Sequence, residues 1–475
     1  MAGLYIHIPF CRSKCAYCDF YSLPLKAALS RNNDPDGSRY CRAILNEFRL
    51  RHAEISEPFT TIYIGGGTPT ALPLPVLLRL LRDLQSEVAA HNASLSGRGN
   101  PGIEGNFNPG LSCSKDPGLS ESGIPGLEEF TIEANPEDIS PEAITALRQN
   151  GVNRISIGIQ SFDSCQLAEI RRLHPAETSL QALRTLRDSG INYSADLIYG
   201  LPGQTLDSWR RQLQELLEFR PPHFSAYLLS YEPGTALTRR LEKGLVSEAS
   251  EALATRMYEA LCNAASAAGY HHYEISNFAL PGLEARHNSS YWNLTPYLGL
   301  GCSAHSFDGT LRRYNPSDLP LYLHHLAPQP PKSHPVQPPK PSQSPQPSLP
   351  SQPSLPSQPS LPQISAVFET EEETPENSAN DYIITSLRTT TGLSTDLFKS
   401  RWGSTIYASL LANLQPLLSA GAIAIHPSTP LAPLTSPSLT SPHPISAPLT
   451  SAPIRFYIPE NHWLTADAIL REAIL

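Results

Sequence analysis

"HIPFCRSKCAYCDFYS", residues His7–Ser22, carries Cys11, Cys15 and Cys18 within eight positions. It follows directly on "GLYIHIPF" (3–10), a β-branched and aromatic run of strand character. A cysteine cluster at the end of a first strand sits where parallel α/β folds keep their chemistry. Thiolates bind zinc and iron–sulfur clusters. A zinc ion on these cysteines needs a fourth ligand such as His7, because structural zinc sites are closed by four. Against zinc, C-x3-C-x2-C differs from the paired C-x2-C hooks of most zinc modules. A [4Fe-4S] cluster with only three thiolates leaves one iron free to take the amino and carboxylate groups of a small cofactor.

Outward from this motif, five more strand candidates recur: "TIYIGGG", "FTIEANP", "RISIGIQSF", "YSADLIYG" and "HFSAYLLSY". Helical patterns such as "YCRAILNEFRLRHAEI", "PVLLRLLRDLQSEVAA" and "SWRRQLQELLEF" separate most of them. Strands apolar on both faces and alternating with helices predict a parallel sheet with helices outside, a partial (β/α)6 barrel. Polar and glycine residues gather at the strand ends: "GGGTPT" (65–70), Glu133 in "TIEANP", Gln160 in "GIQSF" and Asp196 in "ADLIYGLPGQT". Glycines admit close backbone approach to a ligand, and without GK[ST] the glycine run is no nucleoside-triphosphate loop. Arg172, in "IRRLHPAE", is suited to bind a carboxylate.

The 475 residues and formal charge of −9 give no basic footprint for nucleic acid. No apolar run is long enough to span a bilayer. No charged, apolar leader precedes the cysteines, so a cytoplasmic protein is expected. The remaining cysteines, Cys41, Cys113, Cys165, Cys262 and Cys302, show no framework spacing and read as free thiols. Residues 1–235 form the expected core barrel, with a Gly/Ser/Asn/Pro-rich insertion at 91–126, and 236–327 a segment completing it. The Pro/Ser/Gln-rich stretch 328–363, with its QPSLPS repeats, reads as an extended linker. Residues 364–475 form a smaller, mainly helical domain, with a second low-complexity insertion at 427–453.

The cysteine spacing resembles the signature of the radical S-adenosylmethionine (SAM) superfamily. The segments "LYIHIPFCRSKCAYCDF", "IYIGGGTPT", "FTIEANPE", "ISIGIQSF", "DLIYGLPGQT" and "AYLLSYEPGT" resemble the oxygen-independent coproporphyrinogen III oxidase family. The resemblance implies a [4Fe-4S] cluster on Cys11, Cys15 and Cys18 whose reduced form cleaves SAM to methionine and a 5′-deoxyadenosyl radical. It implies that Tyr5, Gly66 and Glu133 contact the cluster-bound SAM. Tyr17, Gly67, Thr68, Gln160, Arg172 and Asp196 match positions that hold a second SAM in the oxidases.

Within that family the chain is similar to the HemW branch. The oxidases carry a further cysteine two residues after the third, where this chain has Phe20, and an N-terminal extension before the first strand. "RHNSSYWN" (286–293) resembles the HNxxYW motif of the HemW branch and makes His287 the candidate haem residue. His271, His272, Cys302 and His305 are competing ligands. The resemblance implies a haem chaperone whose partners are haem or a related tetrapyrrole and an acceptor protein, with any membrane association peripheral and through that acceptor. The sequence admits a monomer or a dimer. Two alternatives stand beside it: a radical SAM enzyme acting on a tetrapyrrole, such as the oxidase itself, and a zinc-stabilised interaction protein.

Overall fold

The computed structural model describes residues 2–96, 124, 126–328, 368–370, 374–427 and 454–475. Most of the linker and of both insertions therefore lies outside the described residues. Six parallel strands follow the expected segments: β1 (Ala2–Ile8), β2 (Phe59–Gly66), β3 (Glu129–Ala134), β4 (Arg154–Gln160), β5 (Asn192–Tyr199) and β6 (His223–Leu228). Between them run α1 (Ser38–Arg51), α2 (Leu74–Ser96), α3 (Pro141–Gln149), α4 (Ala176–Ser189) and α5 (Leu206–Phe219).

The helix boundaries have local causes. Ser140 accepts from the Ala143 amide to cap α3, and Thr205 and Ser208 form a reciprocal capping box at α5. Gly190, at φ +68°, takes the left-handed turn that ends α4. The helix α2 runs to Ser96, past His91, where the sequence reading began an insertion. Asn92 explains the extension: its amide accepts from and donates to the backbone of Phe59 at 2.9 Å, tying the last turns of α2 to the start of β2.

The strands are not apolar on both faces. Leu4, Ile6 and Ile8, Ile62 and Ile64, Phe130 and Ile132, and Ile155 and Ile157 face the helices in one continuous core. The alternate residues, among them Tyr63, Glu133, Ser156, Asp196 and Ser225, line an interior cavity instead. All of them are shielded, so the inner face is a polar lining rather than a second hydrophobic layer.

Residues 271–314 extend both edges. The strands β7 (His271–Glu274) and β8 (Asn277–Ala279) join antiparallel beyond β6, and β9 (Tyr297–Leu300) pairs parallel with β1. Beyond β9 follow β10 (His305–Phe307), β11 (Arg312–Tyr314) and β12 (Glu369–Thr370), all antiparallel. The twelve-stranded sheet has the order β12-β11-β10-β9-β1-β2-β3-β4-β5-β6-β8-β7, and its two edge strands do not pair among the described residues. The barrel is partial and open, as predicted.

The C-terminal unit is a helix (Pro375–Leu387), a long helix broken at Gly403 (Thr395–Ser419), a terminal helix (Ala466–Ala473) and a three-stranded sheet of Leu393–Ser394, Ile454–Tyr457 and Ala424–Pro427. It is held to the barrel by the Thr390 amide on the Tyr273 carbonyl (3.1 Å) and by ion pairs such as Arg312–Asp381. No helix among the described residues is long and apolar enough to cross a membrane.

Candidate functional site

The cysteine loop leaves the carboxyl end of β1 and is pinned at several points. Phe10–Cys11 pairs with Leu23–Pro24, closing the loop at its base. At its middle the Ala16 amide donates to the Ile170 carbonyl (2.9 Å), and the Ala16 carbonyl accepts from the Leu237 amide (2.8 Å). Two donors reach the sulfurs: Thr68 Oγ1 lies 3.7 Å from Cys11 Sγ, and Arg172 Nη1 lies 3.6 Å from Cys15 Sγ. Such outer contacts orient ligands and tune a bound metal. Burial pushes the Cys11 thiol up and the Cys18 thiol up to about 11, so both stay protonated until a cationic centre binds.

His7 does not complete a four-ligand zinc site. Its Nδ1 is 2.9 Å from Tyr5 Oη and its Nε2 is 2.8 Å from the Tyr21 carbonyl, so both ring nitrogens are engaged. With His7 engaged elsewhere, the three thiols keep the three-ligand count that leaves one iron of a cluster open.

The thiols open onto a cavity of about 430 Å³ inside the barrel mouth. Of the sequence-predicted residues, Tyr17, Gly66, Gly67 and Thr68 border it on the side of the cysteine loop. Glu133, Gln160, Arg172 and Asp196 border it on the side of β3 to β5. Tyr5 does not line it; its hydroxyl holds His7 and its ring packs on Tyr63, which does.

The glycine run is shaped by close approach. Gly66 has φ +102°, and a Cβ there would fall 2.4 Å from the His7 ring. A Cβ on Gly67 would meet the carbonyls of Ile8 and Phe10 at 2.7 Å. The Gly67 and Thr68 amides donate to those same carbonyls, docking the run against the cysteine loop. Gln160, at φ +66°, occupies the left-handed region that non-glycine residues seldom adopt, beside an irregularity in the β4–β5 register.

Electrostatics divide the cavity. Glu133 accepts from Tyr63 Oη (2.7 Å) and the Gly66 amide (3.1 Å), and burial, with Asp196 nearby, pushes it up to about 7. Asp196 accepts from the hydroxyls of Ser225 (2.8 Å), Ser156 (3.0 Å) and Ser194 (3.2 Å), and burial again raises it. Arg172 Nη2 donates to Asn135 Oδ1 (2.8 Å) and the Gly158 carbonyl (2.7 Å). The Nε atoms of Arg172 and Arg154 are buried with no partner among the described residues. Buried donors left open are uncommon. Carboxylates for an ammonium group and ribose hydroxyls, and guanidinium edges for a carboxylate, are the donor set that SAM requires.

Tyr63, Asn135, Arg154 and the three serines around Asp196 were missed by the sequence reading. Their signal was there in the two-residue alternation of each strand, which puts Tyr63 on the face of Gly65, and Ser156 on that of Gly158 and Gln160.

His287 does not itself line the cavity. It is fully buried on the short helix Arg286–Trp292, with Nδ1 2.9 Å from Thr61 Oγ1 and Nε2 2.8 Å from Tyr291 Oη, and its ring stacks on Tyr63. Neither nitrogen is free for iron in this arrangement, so the geometry is that of a core histidine tying the helix to β2. Cys302 is buried beside Tyr40, whose hydroxyl accepts from its amide.

A family model described as the radical SAM superfamily matches residues 5–216. The chain is 29% identical over 425 residues to "Heme chaperone HemW" of Bacillus subtilis, covering 89% of this chain and 93% of that protein. It is 35% identical over 320 residues to the protein of that name from Lactococcus lactis (67% and 73%), and 32% over 307 residues to that of Escherichia coli (64% and 69%). Among solved structures, coproporphyrinogen III oxidase (HemN) from Escherichia coli superposes with a TM-score of 0.66 at 19% identity, covering 100% of this chain and 90% of that one. That likeness shows the shared fold. With 35% identity sustained over 73% of a relative's length, the chain belongs to the HemW family within the radical SAM superfamily.

Proposed function

We propose that this protein is a haem chaperone that binds haem and passes it to an acceptor protein, carrying a [4Fe-4S] cluster on Cys11, Cys15 and Cys18 with exchangeable SAM. In this reading Tyr5, Gly66 and Glu133 serve the cluster-bound SAM, Glu133 directly and Tyr5 by fixing His7 beside Gly66. Tyr17, Gly67, Thr68, Gln160, Arg172 and Asp196 bind the rest of that molecule or a second one. When bound and reduced, the cluster supplies an electron to the sulfonium. The chain's own residues bind, orient and exclude water.

The observation that carries the haem reading is the apolar rim of the cavity. Phe20, on the cysteine loop, is 64% exposed, and Tyr227 and Leu228, at the end of β6, are 43% and 41% exposed. All three border the same opening. Exposed large apolar side chains gathered at one mouth mark a binding surface, and a flat macrocycle would cover them while SAM lies beneath.

Titration of the cluster-loaded full chain with ferric haem, with and without SAM, tests this. A saturable Soret shift is expected, weakened about tenfold or more in Phe20→Ser/Leu228→Ser, since burying each side chain is worth about 1.5–3 kcal/mol. Absence of any saturable shift would sink the proposal.

The polar interior, with Asp196 held by three serine hydroxyls, favours a second reading, a radical SAM enzyme acting on a tetrapyrrole. Anaerobic incubation with coproporphyrinogen III, SAM and a reductant discriminates, because only the oxidase forms protoporphyrinogen.

A further inference from the structure

Outside the cavity lining, three side chains from separate elements converge. Cys262 stands on the helix Glu251–Ala267, His272 on β7, and Glu460 at the first position of the short helix Glu460–Thr465 in the C-terminal unit. One ligand atom from each lies within 4.8 Å of the other two. Glu460 Oε1 is 2.7 Å from His272 Nδ1, and Cys262 Sγ is 3.9 Å from the same nitrogen.

The imidazole is fixed. Its ring stacks on Phe278 and meets Trp463 edge-on, and its Nε2 is 3.2 Å from the Ile275 carbonyl. Nε2 donates to that carbonyl, which only accepts, and Nδ1 is the ring atom that faces both Glu460 Oε1 and Cys262 Sγ. A single cation held at that point would take one ligand atom from each of the three side chains.

We propose that Cys262, His272 and Glu460 bind a zinc(II) ion that clips the C-terminal unit to the barrel. Thiolate, imidazole and carboxylate together are a zinc donor set. The backbone carbonyl behind His272 is the outer contact that such ligands use to fix their tautomer. Three protein ligands leave the fourth position to water, and Glu460, 54% exposed, gives the ion a path from solvent. The ligands are 10 and 188 residues apart in the chain, so the ion would cross-link the middle of the chain, at one edge of the barrel sheet, to the C-terminal unit.

The test uses the full chain with its three-cysteine cluster loaded, so that Cys11, Cys15 and Cys18 are occupied. Metal analysis should find one zinc per chain besides the cluster iron. Cobalt(II) exchanged into that site should give a thiolate-to-cobalt absorption. Cys262→Ala should abolish that absorption and weaken zinc binding about 100-fold. Glu460→Gln keeps the size of the side chain and an oxygen facing His272 while removing the charge, and should weaken zinc binding about tenfold and leave the iron content unchanged. Failure of the cluster-loaded wild type to bind zinc or cobalt, or equal binding by wild type and Glu460→Gln, would overturn the proposal.

Discussion

Tyr63 donates a 2.7 Å hydrogen bond to Glu133 Oε1, joining the second barrel strand to the third beneath the cysteine loop. The Gly66 amide holds the other carboxyl oxygen. Both bonds favour the ionised acid, yet burial outweighs them and Glu133 rises to about 7.

This raised value makes folding pH-dependent. Between about 4.5 and about 7 the folded chain keeps a proton on Glu133 that the unfolded chain has lost. Stability without SAM therefore falls as pH rises through that window, by up to about 3 kcal/mol. In Glu133→Gln this component is absent, so the variant should gain on wild type between pH 5 and pH 8 in urea melts. Glu274, also raised to about 7, is common to both chains and cancels. Identical pH slopes in the two would refute the assignment.

Replacing one thiolate should dismantle the cluster. Cys15→Ala removes a ligand and leaves Arg172 Nη1 without its sulfur acceptor. Anaerobic reconstitution is expected to give less than about a tenth of the wild-type iron and no visible charge-transfer absorption, because thiolate ligation creates that chromophore. Undiminished colour in the variant would remove Cys15 from the ligand set.

His287→Ala should act on stability rather than on haem. It strips partners from Thr61 and Tyr291 and leaves a ring-sized void against Tyr63, a cost of about 2–4 kcal/mol. Burial lowers His287 to about 3, so the unfolded chain alone takes up its proton below about 6.5. Stability then declines as pH falls from about 6.5 towards 3, and the variant should be less acid-sensitive. The haem titration should be unchanged within a factor of about two. A lost Soret shift would instead make His287 an axial ligand.

The pair Glu47–Arg51 lies one turn apart on α1, both buried and 2.7 Å apart. Glu47 also accepts from Tyr322 Oη (2.6 Å), Asn315 Nδ2 (2.8 Å) and the Gly301 amide (2.9 Å). Arg51→Ala leaves a buried uncompensated charge and should cost about 3–5 kcal/mol in chemical denaturation. Glu47→Gln in that background should recover part of it.

The six strands, the intervening helices and the strand-end positions of Glu133 and Gln160 were legible because each rests on a short-range period in the chain, whereas Asp196 lies mid-strand, within Asn192–Tyr199. The three cysteines were legible because their spacing lies within one loop. The polar inner face was missed because burial, not polarity, makes a strand read as continuous, and Ser156, Ser194 and Ser225 pass for neutral members of an apolar run. Nothing local in the sequence announces that β9, β10 and the helix Leu319–Leu326 will cover Glu47 and Arg51. The sequence by itself determined the parallel barrel and its three-thiol loop. Only the tertiary structure decided that His287 is a core residue with both nitrogens engaged, and that Cys262, His272 and Glu460 meet. Those contacts depend on packing between segments remote in the chain, which no local period encodes.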